Sequence, residues 1–210
     1  MPQIALAQGR PTLVERIDSP LPQAALSIHE RPLRYVERLD RRSLSQIDLL
    51  IVHATELPTL EMARNFGEKI RYASSGSGNS GHFYIDRDGA IEQFVPLERV
   101  AHHIRGYNGR SVGVELVNTG RYPHWYRLDH QRITEPYPNA QIEALVNLCN
   151  QLSLQIPTLS WIAGHDELDI SEVAAEDSPE TLIRRKVDPG AHFPWSQVLG
   201  SSKLKRLLLG

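Results

Sequence analysis

Residues 48–55 read Asp48-Leu49-Leu50-Ile51-Val52-His53-Ala54-Thr55. An unbroken aliphatic run of this length, with β-branched Ile51 and Val52, suits a strand covered on both faces. His53 is the one polar interruption. Downstream, Pro58 opens a stretch in which Leu60, Ala63, Phe66 and Ile70 recur at helical spacing, and proline suits a first helical turn. Ser, Gly and Asn then fill a polar loop over 74–81. Residues 82–86 and 90–95 flank Asp88-Gly89, a strong short-range hairpin signal. A second apolar strand, SVGVELVN, spans 111–118 and is broken by Glu115. Over 139–154, Ile142, Leu145, Val146, Leu148, Cys149 and Leu152 mark one face of an amphipathic helix. LSWIAG (159–164) is a short strand ending at His165, and the tail from Trp195 reads as helix.

This alternation predicts one α/β domain over 46–198, a central mixed β-sheet flanked by helices. Residues 1–45, rich in Pro, Arg and Gln, form an extension packed on or linked to that domain, and 199–210 a helical tail. Within the extension, Arg31, Arg34, Arg38, Arg41 and Arg42 are interleaved with Glu30, Glu37 and Asp40, as on a solvated face.

The composition narrows the function classes. Hydrophobic residues make up 40% of the 210 and charged residues 23%, which excludes wholesale disorder. Basic and acidic residues number 23 and 25, so no overall field favours nucleic acid. Cys149 has no intrachain partner for a disulfide. No apolar stretch approaches the roughly 20 residues that span a bilayer, and MPQIALAQGR (1–10) lacks the basic start and apolar core of a leader. The expected place of work is the cytoplasm, or the periplasm if a leader has been removed.

Polar groups set into apolar strands are costly unless paired or employed. A satisfied core histidine and a ligand both fit His53. Glu115, between Val114 and Leu116, calls for a cation, a task or a turn toward water. His165 closes an apolar strand. Lys186 is one of four lysines and precedes a turn-forming Asp188-Pro189-Gly190. Two histidines with a carboxylate leave a fourth tetrahedral position open, the mark of catalytic rather than structural zinc.

Five blocks together resemble the type 2 N-acetylmuramoyl-L-alanine amidases, zinc enzymes related to phage amidase-lysozymes and peptidoglycan recognition proteins. They are DLLIVHAT (48–55), SGHFYIDRDGAIEQFVP (80–96), AHH with RGYNGRSVGVELVN (101–118), WIAGHDE (161–167) and RRKVDPGAHFPW (184–195). The resemblance implies one zinc ion on His53, His165 and Asp188, Glu115 as catalytic carboxylate and Lys186 as its partner. It places His103 in the substrate groove, with Tyr107 and Asn108 beside it. It implies hydrolysis of the amide joining N-acetylmuramic acid, or its 1,6-anhydro form, to L-alanine in muropeptides or peptidoglycan. Arg105, Arg110, Arg184 and Arg185 are candidates to orient substrate carboxylates.

The sequence departs from the family pattern in three respects. Asp188 lies 23 residues after His165, where many relatives have about ten, so 166–187 reads as an insertion. Gly81 stands where some relatives carry a catalytic tyrosine. Asp166 and His192 are spare candidate ligands. Two competing functions remain: a fragment-binding module of the same fold, disfavoured by the complete set of chemical residues, and a metallopeptidase cutting within the stem peptide.

Overall fold

The computed structural model describes residues 26–208; the first 25 residues of the expected extension, with Pro20 and Pro22, and the last two of the expected tail lie outside them. The aliphatic run forms β2 (Leu49–Ala54), buried at all six positions. It pairs in parallel with β5 (Ser111–Leu116) on one side and β6 (Trp161–Gly164) on the other. Outward from β5 come β3 (Phe83–Ile85), β4 (Ile91–Gln93) and β1 (Ile28–Glu30); outward from β6 comes β9 (Lys205–Arg206). The β3–β4 hairpin is antiparallel and the other pairings of this seven-stranded sheet are parallel, so the sheet is mixed.

Strand alternation divides the sheet into a structural face and a chemical face. Leu50, Val52 and Ala54 of β2, with Val112, Val114 and Leu116 of β5, pack in one cluster with Ile142, Leu145, Leu148, Cys149 and Leu152 of α2 (Asn139–Gln155). Each such fully buried aliphatic side chain contributes roughly 1.5–3 kcal/mol. The intervening residues point the other way. Leu49 and Ile51 pack with Ile104 and Leu168; on that same side Gly113 lies beside Ile51, and His53 and Glu115 stand near the strand ends. The C-terminal ends of parallel strands, where an open α/β sheet leaves a crevice, thus carry the polar residues.

Several expectations are corrected. The first helix, α1 (Leu60–Gly67), is capped by Thr59, whose hydroxyl accepts the Met62 N–H at 3.2 Å, and it stops before Ile70, which is 42% exposed. The tail is not helical throughout. Helix α4 (Trp195–Ser201) ends, Leu204 enters the main core, and β9 supplies backbone partners to the outer edge of β6. Arg42 is not on a solvated face. It is buried, donating to the carbonyls of Leu97 at 2.8 Å, Asn108 at 3.0 Å and Ser111 at 2.7 Å, and so fastens the approach to β5. Within 166–187, β7 (Glu172–Ala174) and β8 (Leu182–Arg184) form a separate antiparallel hairpin.

Candidate metal centre and cleft

Three elements bring three donors to one point. His53 is the penultimate residue of β2, His165 opens α3 (His165–Leu168) directly after β6, and Asp188 follows the inserted hairpin. The Nδ1 atoms of His53 and His165 lie 2.9 Å apart, and Asp188 Oδ2 is 3.2 Å from the first and 3.1 Å from the second. All three residues are 2% exposed. Burial, followed by the neighbouring His165, pushes His53 down to about 4. Burial also lowers His165, so both imidazoles are neutral at pH 7, with lone pairs free to bind a cation. Burial alone would raise Asp188, but His165 and His53 outweigh it and hold the carboxylate ionised.

This donor chemistry fits a divalent ion. Tetrahedral zinc, with bonds of about 2.0–2.1 Å, sets its ligands roughly 3.3 Å apart, close to the spacings found. Asp188 Oδ1 is also buried without a hydrogen-bond partner. Among the described residues, these three form the group able to hold a metal ion. Asp166 and His192 are outside it: Asp166 engages Asp188 through its backbone N–H at 2.8 Å, and His192 is exposed.

A hydrogen-bonded chain leads away from His53. Its Nε2 lies 2.9 Å from His103 Nδ1, and His103 Nε2 lies 3.2 Å from Ser111 Oγ, which donates to the Tyr107 carbonyl at 2.8 Å. With Nδ1 of His53 turned to the metal position, its proton belongs on Nε2. That assignment makes His103 accept at Nδ1 and donate from Nε2. A Cβ at Gly113 would stand 2.7 Å from the His103 ring, so the glycine makes room for this stack. Asn108 Oδ1 accepts the N–H groups of His103 at 3.0 Å and Ile104 at 2.8 Å, fixing the loop.

Glu115 lies directly across from His53 in the β2–β5 register. Burial, followed by the charge of Asp188, pushes its carboxyl up to about 8, while Lys186 acts in the opposite direction. A Cβ at Gly81 would lie 2.7 Å from Glu115 Cγ, so a tyrosine there would displace the carboxylate. Both Glu115 and Lys186 line a cleft of about 570 Å³ that also holds the three donors, His103, Asn108, Arg105 and Arg185.

Other sequence candidates lie elsewhere. Tyr107 is not among the lining residues and packs with Leu49, Ile51 and Ile104. Arg110 pairs with Asp48, which precedes β2 and so lies at the opposite end of the strands from His53. Arg184 is likewise absent from the lining and donates to the carbonyls of Asp166 and Asp169.

A family model described as N-acetylmuramoyl-L-alanine amidase matches residues 43–191. The chain belongs to that family. Among curated relatives of this amidase-family chain, the 1,6-anhydro-N-acetylmuramyl-L-alanine amidase AmpD of Enterobacter cloacae is 33% identical over 122 residues, 54% of this chain and 51% of that protein. The chain spans about half the length of the curated relatives it matches. The crystal structure of a selenomethionine AmpD derivative superposes with a TM-score of 0.59 at 24% identity, covering 86% of this chain and 96% of that one. Human PGRP-IBETAC, solved with glycosamyl muramyl pentapeptide, gives a TM-score of 0.52 at 18% identity over 78% of this chain and 86% of that one. At these identities the two structures establish the amidase and recognition-protein fold alone.

Sequence reasoning missed Ser111, Glu56 and Arg121. Ser111 carried a signal, being a hydroxyl on an apolar strand two positions from Gly113. Glu56 and Arg121 are buried partners 65 positions apart, which no local pattern reports.

Proposed function

We propose that this chain is a zinc-dependent amidase cleaving the bond between 1,6-anhydro-N-acetylmuramic acid and L-alanine. The observation that carries the reading is the buried convergence of His53, His165 and Asp188 beside Glu115 on the floor of an open cleft. The name of the relative AmpD supports the anhydro form of the sugar. A soluble wall fragment as substrate favours the cytoplasm as the place of work, with the periplasm as the alternative if a leader has been removed. Among the described residues, no helix is long and apolar enough to cross a membrane.

Zinc on these three side chains would supply Lewis acidity and lower the pKa of water to about 7. A bound cation would favour the ionised form of Glu115, and that carboxylate takes the proton of the attacking water as it adds to the lactyl carbonyl carbon, then returns it to the departing nitrogen of L-alanine. The C–N bond breaks, leaving a carboxylate on the sugar and a free amine on the peptide. Lys186 places its ammonium where negative charge develops on the carbonyl oxygen. Arg105, on the cleft wall, holds a carboxylate of the stem peptide, and Arg185, already paired with Asp169, flanks it. His103 and Asn108 act from behind the donors, keeping His53 aimed.

A fragment-binding module is the competing reading, and retention of Glu115 and Lys186 beside the three donors favours cutting. Metal analysis, with mass spectrometry of products from an anhydro-muramyl tripeptide and its non-anhydro counterpart, tests the proposal. The expected products are the anhydro sugar and an intact peptide beginning with L-alanine. Binding without cleavage by zinc-loaded protein overturns the reading in favour of the binding module, and cleavage within the peptide overturns it in favour of a metallopeptidase.

A further inference from the structure

Three residues beyond His53 the chain turns sharply, and Glu56 takes a φ of 49°, a left-handed conformation unusual for a residue with a side chain. Its carboxylate is buried against Arg121, with Nε to Oε1 at 2.6 Å and Nη2 to Oε2 at 2.8 Å. Trp125 Nε1 donates to the Glu56 carbonyl at 3.2 Å, securing the turn from outside. The guanidinium is not used up by Glu56. Nη1 also donates to Gln131 Oε1 at 3.1 Å and to the Arg184 carbonyl at 3.4 Å, while Nη2 donates to the Arg185 carbonyl at 3.3 Å. One planar group therefore bridges the end of β2 to the two peptide units that immediately precede Lys186.

Lys186 needs such support. Among the described residues, no hydrogen bond or ion pair restrains its ammonium, and its long stem has four rotatable bonds. Where its charge sits in the cleft depends on the direction in which the backbone launches it. Arg185 is held separately, its guanidinium on Asp169 and on Ser171 Oγ at 3.0 Å, so the segment is pinned on both sides.

We propose that Arg121, seated on Glu56, is a positioning residue that fixes the backbone at 184–185 and thereby aims Lys186 into the cleft. The inference rests on the proposed role of Lys186 in amide cleavage. Arg121→Lys keeps a cation beside Glu56 but gives up the fork that reaches both carbonyls. On the anhydro-muramyl tripeptide, this variant is expected to lose about 10²-fold in kcat with KM and zinc content unchanged, as for a small misplacement at a distance from the chemistry. In a Lys186→Ala background the same substitution should cost nothing further, because the side chain it aims is gone. Equal losses in both backgrounds mean a general structural role and overturn the proposal.

Hydrogen exchange reads the same tether without turnover. Arg121→Lys should speed exchange over 182–190 and leave α2 unaffected; unchanged exchange over 182–190 overturns the proposal. If wild-type protein shows no cleavage, the proposed function falls, and the exchange measurement still decides whether the tether exists. Should Arg121→Lys fail to fold, Glu56→Gln, which retains the shape of the partner, takes its place in both measurements.

Discussion

His53 and Glu115 are register partners in the parallel pairing of β2 and β5, so the proposed ligand and the proposed base share one face of one sheet. Their spacing is set by backbone hydrogen bonds rather than by flexible loops. A shift of one residue between the strands would turn Glu115 to the α2 side. The packing of Leu50, Val52, Val112 and Val114 therefore fixes the chemical geometry as well as the core.

Glu115→Gln keeps the shape of the side chain and all three donors. Zinc content should be unchanged, and turnover should fall about 10²–10⁴-fold, the usual contribution of a positioned acid–base group. Metal analysis and product release on the same preparation check this; undiminished turnover removes Glu115 from the mechanism.

His53→Ala and Asp188→Ala should each lose the ion, whereas Asp166→Asn and His192→Ala should keep it. Chelation should lower the melting temperature of wild type, because a ligand present at 1,000 times its dissociation constant stabilises by about 4 kcal/mol. Metal-to-protein ratios and melting curves with and without chelator provide the measurement. Normal metal content in Asp188→Ala would move the third ligand elsewhere.

His103→Ala and Ser111→Ala break the chain that orients His53. Each should weaken metal affinity by about 10–100-fold, the usual range for partners that orient a ligating histidine. Gly113→Ala, with its Cβ 2.7 Å from the His103 ring, should act in the same direction. Competition titrations against a chromogenic chelator read the affinity directly.

In metal-free protein, Glu115 keeps its proton up to about pH 8, against 4.5 for the ordinary side chain. Between those values the unfolded chain has released a proton that the folded chain retains, so this carboxyl makes stability fall as pH rises through the window. Glu115→Gln removes that cost. Its melting temperature relative to wild type, measured in chelator, should rise from pH 4.5 to about 8 and then level off; a flat difference contradicts the raised carboxyl.

Much of the interior was legible because β2, β5 and α2 are long enough for periodicity to speak, and the hairpin because Asp88-Gly89 has its own turn chemistry. His53, Glu115 and His165 stood out as polar residues in or ending apolar strands. The assignment of Asp188 as a ligand came from family resemblance, and its convergence with the histidines from the fold. What stayed hidden depends on distant partners. Strands β1 and β9 have three and two residues and exist through the edges they cover. Arg42 reads as one more surface arginine until the carbonyls it binds, 55 to 69 positions away, are in place. Glu56 and Arg121 are identified only by each other.

The order of donors from His53 through His103 and Ser111 has a one-way character. It terminates on the carbonyl oxygen of Tyr107, which has no hydrogen of its own to pass back. This route from the centre is therefore a blind alley for proton traffic, and in the proposed reaction the way left for exchange with solvent is the mouth of the cleft.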